Sequence, residues 1–185
     1  MSGAFFAFIA VILCGIGARD HMLIHNLIRI TGRTSLILTI GIGCAVGCSI
    51  VAAAAAAELI PHMPIGGRHM MALLATGWAG IEALVLSPRK PPNEPSQSLG
   101  ALTLVLITSQ ITDVARMLVF AIAVSSGAAL PAGAGGAFGA CVSMALAAIT
   151  ADLLPPQTIA KLRRVMGLAL LTIAIVLAWQ AFTSR

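Results

Sequence analysis

Two aspartates, Asp20 and Asp113, stand inside otherwise apolar stretches. A charged side chain in hydrocarbon costs at least about 2.5–3.5 kcal/mol on insertion scales, so such groups normally face a bundle interior or a wet cavity and mark the path of an ion. Two carboxylates that meet there form a hard-oxygen site of the kind that takes Mn2+, Ca2+ or Mg2+. Two cations are close in sequence. Arg116 follows Asp113 by three residues and shares its helix face. Arg19 adjoins Asp20 and is long enough to reach across a helix interface. If these arginines pair with the aspartates as buried ion pairs, little charge remains to attract a divalent cation. Both chemistries are open at this point.

His21 and His25 are four apart, on one helix face beside Asp20, a spacing that can hold a transition metal. Polar side chains near the end of a span also simply reach water or headgroups. Glu58 and Asp152 end apolar runs just before Pro61 and Pro155, where interfacial water accounts for them. Glu82 is placed to snorkel or to pair with Arg89. Cys14, Cys44, Cys48 and Cys141 all lie in apolar runs, as small buried residues do. No nucleophile elbow, phosphate loop, CxxC or HExxH motif occurs, so no enzyme activity and no cofactor are expected.

The elements that must position these groups follow from composition. Of 185 residues, 59% are hydrophobic and only 9% are charged, against about 25% charged in an average soluble domain. So few charges cannot cover a water-soluble globule, and the bilayer is the expected solvent. With no Tyr and with unbroken rather than alternating apolar runs, a β-barrel is excluded. The net charge of +5 lies mainly in loops, with no basic stripe interleaved with aromatics, so no nucleic acid is expected. The N-terminal run has no basic region before it, and it reads as part of the first span rather than as a cleaved signal.

Six spans are predicted, about Gly3 to Ile30, Thr34 to Ile60, His69 to Leu86, Leu99 to Val124, Leu130 to Leu154 and Val165 to Phe182. The first is longer than a ~30 Å core requires, so it either tilts or breaks near Gly15 and Gly17. Ser87 to Ser98, with four prolines, is the one continuous linker. It divides the chain into residues 1–86, 87–98 and 99–185.

The two halves are repeats. Asp20 and Asp113 are 93 residues apart, and Gly41/Gly135, Ser49/Ser143, Glu58/Asp152 and Pro61/Pro155 are each 94 apart. Three spans per repeat is an odd number, so the second repeat enters from the opposite side. The expected fold is therefore an all-α polytopic membrane protein of six transmembrane helices, built as two inverted three-helix repeats. Symmetry would bring Asp20 and Asp113 together near the midplane. Seven loop cations (Arg29, Arg33, Arg89, Lys90, Lys161, Arg163, Arg164) fall on one side and two (Arg68, Arg185) on the other. By the positive-inside rule the linker is cytoplasmic and both termini are outside, in a bacterial-type inner (plasma) membrane.

Ser109-Gln110-Ile111-Thr112-Asp113-Val114-Ala115-Arg116 and Gly17-Ala18-Arg19-Asp20-His21-Met22, one in the first span of each half, resemble the paired motif of the transmembrane-protein-165 family (uncharacterised protein family 0016). That family consists of small cation exchangers built from two inverted three-span repeats, each with Glu-x-Gly-Asp-Lys-Ser/Thr in its first span. The likeness extends over nearly the whole chain in span count, central linker and motif position. It implies an exchanger of Mn2+ or Ca2+ for protons, with Asp20 and Asp113 as ligands and Gln110 and Thr112 contributing. The motif has also changed: its glutamate is Gln110 or Gly17, its glycine Thr112 or Arg19, its lysine Val114 or His21, and its hydroxyl residue Ala115 or Met22. A non-transporting accessory or structural subunit of a larger membrane complex that kept the fold is the alternative. The bilayer is the expected partner under both readings, with a homodimer or larger membrane assembly open.

Overall fold

The structure, a computed structural model, describes residues 2–15, 18–85, 99–150 and 156–183. Among them the secondary structure is entirely helical: α1 (Ser2–Gly15), α2 (Arg19–Thr31), α3 (Thr34–Leu59), a 3₁₀ turn (Ile60–His62), α4 (Ile65–Val85), α5 (Leu99–Ile111), α6 (Val114–Ser126), α7 (Ala129–Thr150) and α8 (Pro156–Thr183). The linker 87–98 and Asp152 lie outside the described residues.

Three stretches are long and apolar enough to cross a membrane alone, Thr34–His62, Ala129–Leu146 and Gln157–Thr183. Two bent pairs reach that length together: Ser2–Gly15 with Asp20–Thr31, bent by 53°, and Gly100–Ile111 with Val114–Ser126, bent by 51°. This makes three to five spans by length and apolarity. The third stretch expected to span corresponds to α4, which is 21 residues long but carries Arg68, His69 and Glu82 and is not among them.

The bends have local causes. In the first pair α1 is described as far as Gly15 and α2 from Arg19, and between them the Ala18 N–H donates to the Gly15 carbonyl at 3.0 Å. In the second, Asp113 has extended backbone and its side chain accepts from the Ala115 N–H at 3.1 Å, as a helix N-cap does. The continuous span expected from Leu99 to Val124 is therefore two half-helices. Each bent pair also closes on a left-handed glycine, Gly32 (φ 69°) and Gly127 (φ 65°), a conformation that glycine adopts without a Cβ penalty.

Side chains are distributed as lipid solvation requires. Large apolar groups point outward: Phe138 is 70% exposed, Ile175 70% and Trp179 73%. The interior is built largely from alanine and glycine, with Asp20, His21, Glu82, Gln110, Asp113 and Arg116 buried among them. Without a hydrophobic drive between helices in lipid, close backbone approach supplies the packing. A Cβ at Gly135 of α7 would overlap the Ala4 carbonyl of α1, and one at Gly139 would lie 2.9 Å from the Phe8 carbonyl. The α4–α8 contact is reciprocal: a Cβ at Gly80 would be 3.1 Å from the Gly167 carbonyl, and one at Gly167 would be 3.0 Å from that of Gly80.

The packed pairs come in matching sets. Exchange α1–α4 for α5–α8, and α1·α7 becomes α3·α5, α3·α6 becomes α2·α7, α6·α7 becomes α2·α3 and α1·α6 becomes α2·α5, while α3·α7 and α4·α8 map onto themselves. The α4·α6 contact stands apart from this correspondence.

Candidate functional site

The breaks bring the ionisable groups inside. Asp20 lies in the first turn of α2 and Asp113 caps α6, so each carboxylate stands at the start of the second half-helix of its bent pair. The unsatisfied N–H groups and the dipole at a helix N-terminus favour negative charge there. Both residues are 2% exposed. Asp20 Oδ1 accepts the His21 backbone N–H at 2.8 Å.

Arg116 is 3% exposed, and its Nη2 lies 4.0 Å from Asp20 Oδ2. The sequence placed Arg116 on the same helix face as Asp113. In the folded chain the guanidinium reaches across to the other half, because Asp113 ends its own turn as a cap while α2 lies within range of α6. Arg116 Nε is buried with no hydrogen-bond partner among the described residues. Arg19 opens α2, and its side chain is outside the described residues.

Gln110 is fully buried at the end of α5. Its Nε2 donates to the Gly41 carbonyl of α3 at 3.3 Å, and its Oε1 has no partner among the described residues. A buried amide oxygen left without a donor is costly, about 1–3 kcal/mol, and is available to a cation. Thr112 is exposed at the break and does not share this buried setting.

His21 Nε2 lies 3.5 Å from Ser143 Oγ on α7 and 4.0 Å from Asp20 Oδ1. His21 thus ties the start of α2 to α7. His25 is half-buried one turn along α2 and has an interaction of its own. Among the described residues no group of three or more His, Cys, Asp or Glu side chains is placed to hold a metal ion.

Three residues join this region that the sequence does not assign to it. Ser143, a repeat match to Ser49 in the sequence, lies opposite Gly15 in the fold. Glu82 was expected to snorkel or to pair with Arg89. It is 3% exposed on α4 and lines a small cavity with Asp113, Cys14 and Arg163. Its signal was available: an acid within an apolar run, two residues after a glycine that draws α8 close. Four of the seven expected loop cations are helical instead: Arg29 is in the last turn of α2, and because α8 begins at Pro156, a residue suited to a first helical position, Lys161, Arg163 and Arg164 lie inside α8, Arg163 two turns in. Glu58 is exposed, as expected.

No family model, no curated protein and no solved structure matches this chain. The resemblance to the transmembrane-protein-165 family accordingly rests on the residues quoted for it.

Proposed function

We propose that this chain is a secondary transporter of two inverted three-span repeats that exchanges a divalent cation, Mn2+ or Ca2+, for protons. The observation that carries the reading is the equivalent placement of Asp20 and Asp113, each buried at the start of a half-helix in a broken span. Broken helices of this kind are the usual frame of transporter ion sites near the bilayer midplane. The matching helix contacts and the paired left-handed glycines support the repeat. The loop charges support an orientation with the linker cytoplasmic and both termini outside.

Within this reading the aspartates have unequal roles. Arg116 faces Asp20 and offsets its charge, which leaves Asp113 as the carboxylate that alternates between cation and proton. The unpartnered Oε1 of Gln110 contributes a neutral oxygen. A sparse oxygen set binds a cation weakly enough to release it, as transport requires.

The second reading, an accessory subunit without transport, is favoured by the same Arg116–Asp20 contact, since a neutralised pair in dry packing has a purely structural use. Reconstitution separates the two. The purified chain in liposomes should take up radioactive manganese or calcium against an outward proton gradient, and Asp113→Asn should abolish that uptake. Wild-type vesicles with no cation flux would leave the accessory reading.

A further inference from the structure

The bundle is not closed evenly on all sides. α1 packs on α6 and α7, and α8 packs on α4. Between them runs a groove of about 910 Å3, with α1 and α8 as its walls and α6, backed by α4, as its floor. Ordinary ligand sites occupy roughly 300–1,000 Å3. The groove follows α1 from Ser2 to Cys14 and α8 from Gln180 back to Met166. That length of α1 is roughly 18 Å at about 1.5 Å per residue, a little more than one leaflet of a ~30 Å hydrocarbon core.

Polarity is graded along this length. Ser2, Ser125, Ser126 and Gln180 border the end where α1 begins and α6 and α8 finish. Below them the lining is apolar, with Phe6, Leu13 and Ile173 contributing exposed side chains, apart from the Thr76 hydroxyl part-way down. Cys14 and Met166 mark the far end, and both also border the small cavity beside Asp113.

A cation stands beside the polar end. Arg68 Nη1 would lie 3.1 Å from a Cβ at Gly127, the residue after Ser126. Its Nε donates to the Met63 carbonyl at 3.3 Å and its Nη2 to the Ile60 carbonyl at 3.0 Å, so the guanidinium is held with Nη1 at the end of α6. Glu58 is at the same end but on α3, which contributes no described residue to the groove. A fixed cation and polar side chains at one end, with an apolar channel one leaflet deep beneath them, complement a phospholipid standing in its leaflet.

We propose that this groove binds one acyl chain of a bilayer glycerophospholipid, with the phosphate at Arg68 and the ester oxygens at Ser2 and Gln180. Arginine binds phosphate through charge-assisted hydrogen bonds. The chain fills the gap between α1 and α8 and ends against Cys14 and Met166, so lipid completes the packing that side chains leave open on this side. The site is independent of whether the protein moves a cation.

Native mass spectrometry of the full chain released from detergent tests this, with added phosphatidylglycerol and, separately, diacylglycerol carrying the same chains. Wild type should retain one phosphatidylglycerol per chain, roughly tenfold more than diacylglycerol. Ala169 is exposed in the α8 wall, so Ala169→Phe fills the groove and should lower that retention roughly tenfold. Ile175→Phe, on α8 outside the groove, should leave it unchanged. In parallel, wild type in nanodiscs receives phosphatidylglycerol with a diazirine at the end of one chain, a measurement that stands even where Ala169→Phe fails to fold. Photolabel should concentrate on Leu13, Cys14 and Met166 rather than on the outward-facing Phe138. Equal retention by Ala169→Phe and wild type, equal retention of the two lipids, or label spread evenly over outward-facing side chains overturns the proposal. So does a wild-type dimer that Ala169→Phe dissociates, since a second copy would then occupy the groove.

Discussion

Arg116, in the first turn of α6, directs its Nη2 to within 4.0 Å of Asp20 Oδ2 on α2, 96 positions earlier in the chain. The pair joins the two halves at their breaks. It is also nearly sealed from its surroundings, at 3% and 2% side-chain exposure. Removing one partner of such a pair strands the other charge, which costs about 3–5 kcal/mol, whereas removing both is far less damaging. Arg116→Gln and Asp20→Asn should each lower the unfolding midpoint in detergent markedly, and the double variant should recover most of the loss. Additive losses in the double variant would show that the two side chains do not interact.

Asp113 combines a cap and a charge, and the two are separable. Asparagine caps a helix about as well as aspartate, so Asp113→Asn should keep α6 intact and leave thermal stability within about 1 kcal/mol of wild type. Cation uptake in liposomes should nevertheless fall to background. Asp113→Ala removes the cap as well and should cost about 1 kcal/mol more. Unchanged flux in the asparagine variant would eliminate Asp113 as the exchanging carboxylate.

The orientation has a direct measurement. A reporter that is active only in the cytoplasm should function when fused at residue 93, and one that is active only outside should function near Gly127. The reversed pattern would invert the orientation.

Glycines that touch a neighbour and glycines that do not should separate cleanly. Gly135→Val forces a side chain onto the Ala4 carbonyl and should destabilise by about 1–3 kcal/mol or more, as overpacking does. Nothing lies within 4 Å of a Cβ placed at Gly43 or Gly47. Gly43→Ala and Gly47→Ala should therefore be neutral or stabilising by about 0.5–1 kcal/mol, the helix preference for alanine. The readout is the unfolding midpoint in one detergent. A Gly135→Val midpoint equal to wild type would contradict the α1–α7 contact.

The amino-acid sequence by itself determined the solvent and the element type, because a chain with 9% charged residues and unbroken apolar runs has no other way to satisfy its backbone than by helices in lipid. It also determined where α3 starts and stops, through Arg33-Thr34 and Pro61, and it singled out Asp20 and Asp113, since each is an acid within an apolar stretch at a matching place in a half. The bend before Asp20 was signalled by Gly15, where α1 ends. The one at Asp113 was signalled less plainly, by Thr112-Asp113 as a potential cap. Only the tertiary structure decided what these charges face. Helical spacing relates a residue to its neighbours on one helix and is silent on register between helices. Arg116 thus looked like the partner of Asp113 and is the partner of Asp20; Thr112 looked like a ligand and is exposed. Glu82 looked interfacial and is buried beside Asp113. Their positions follow from how α4, α6 and α8 cross, and that crossing is set by which glycines meet which backbone across the bundle.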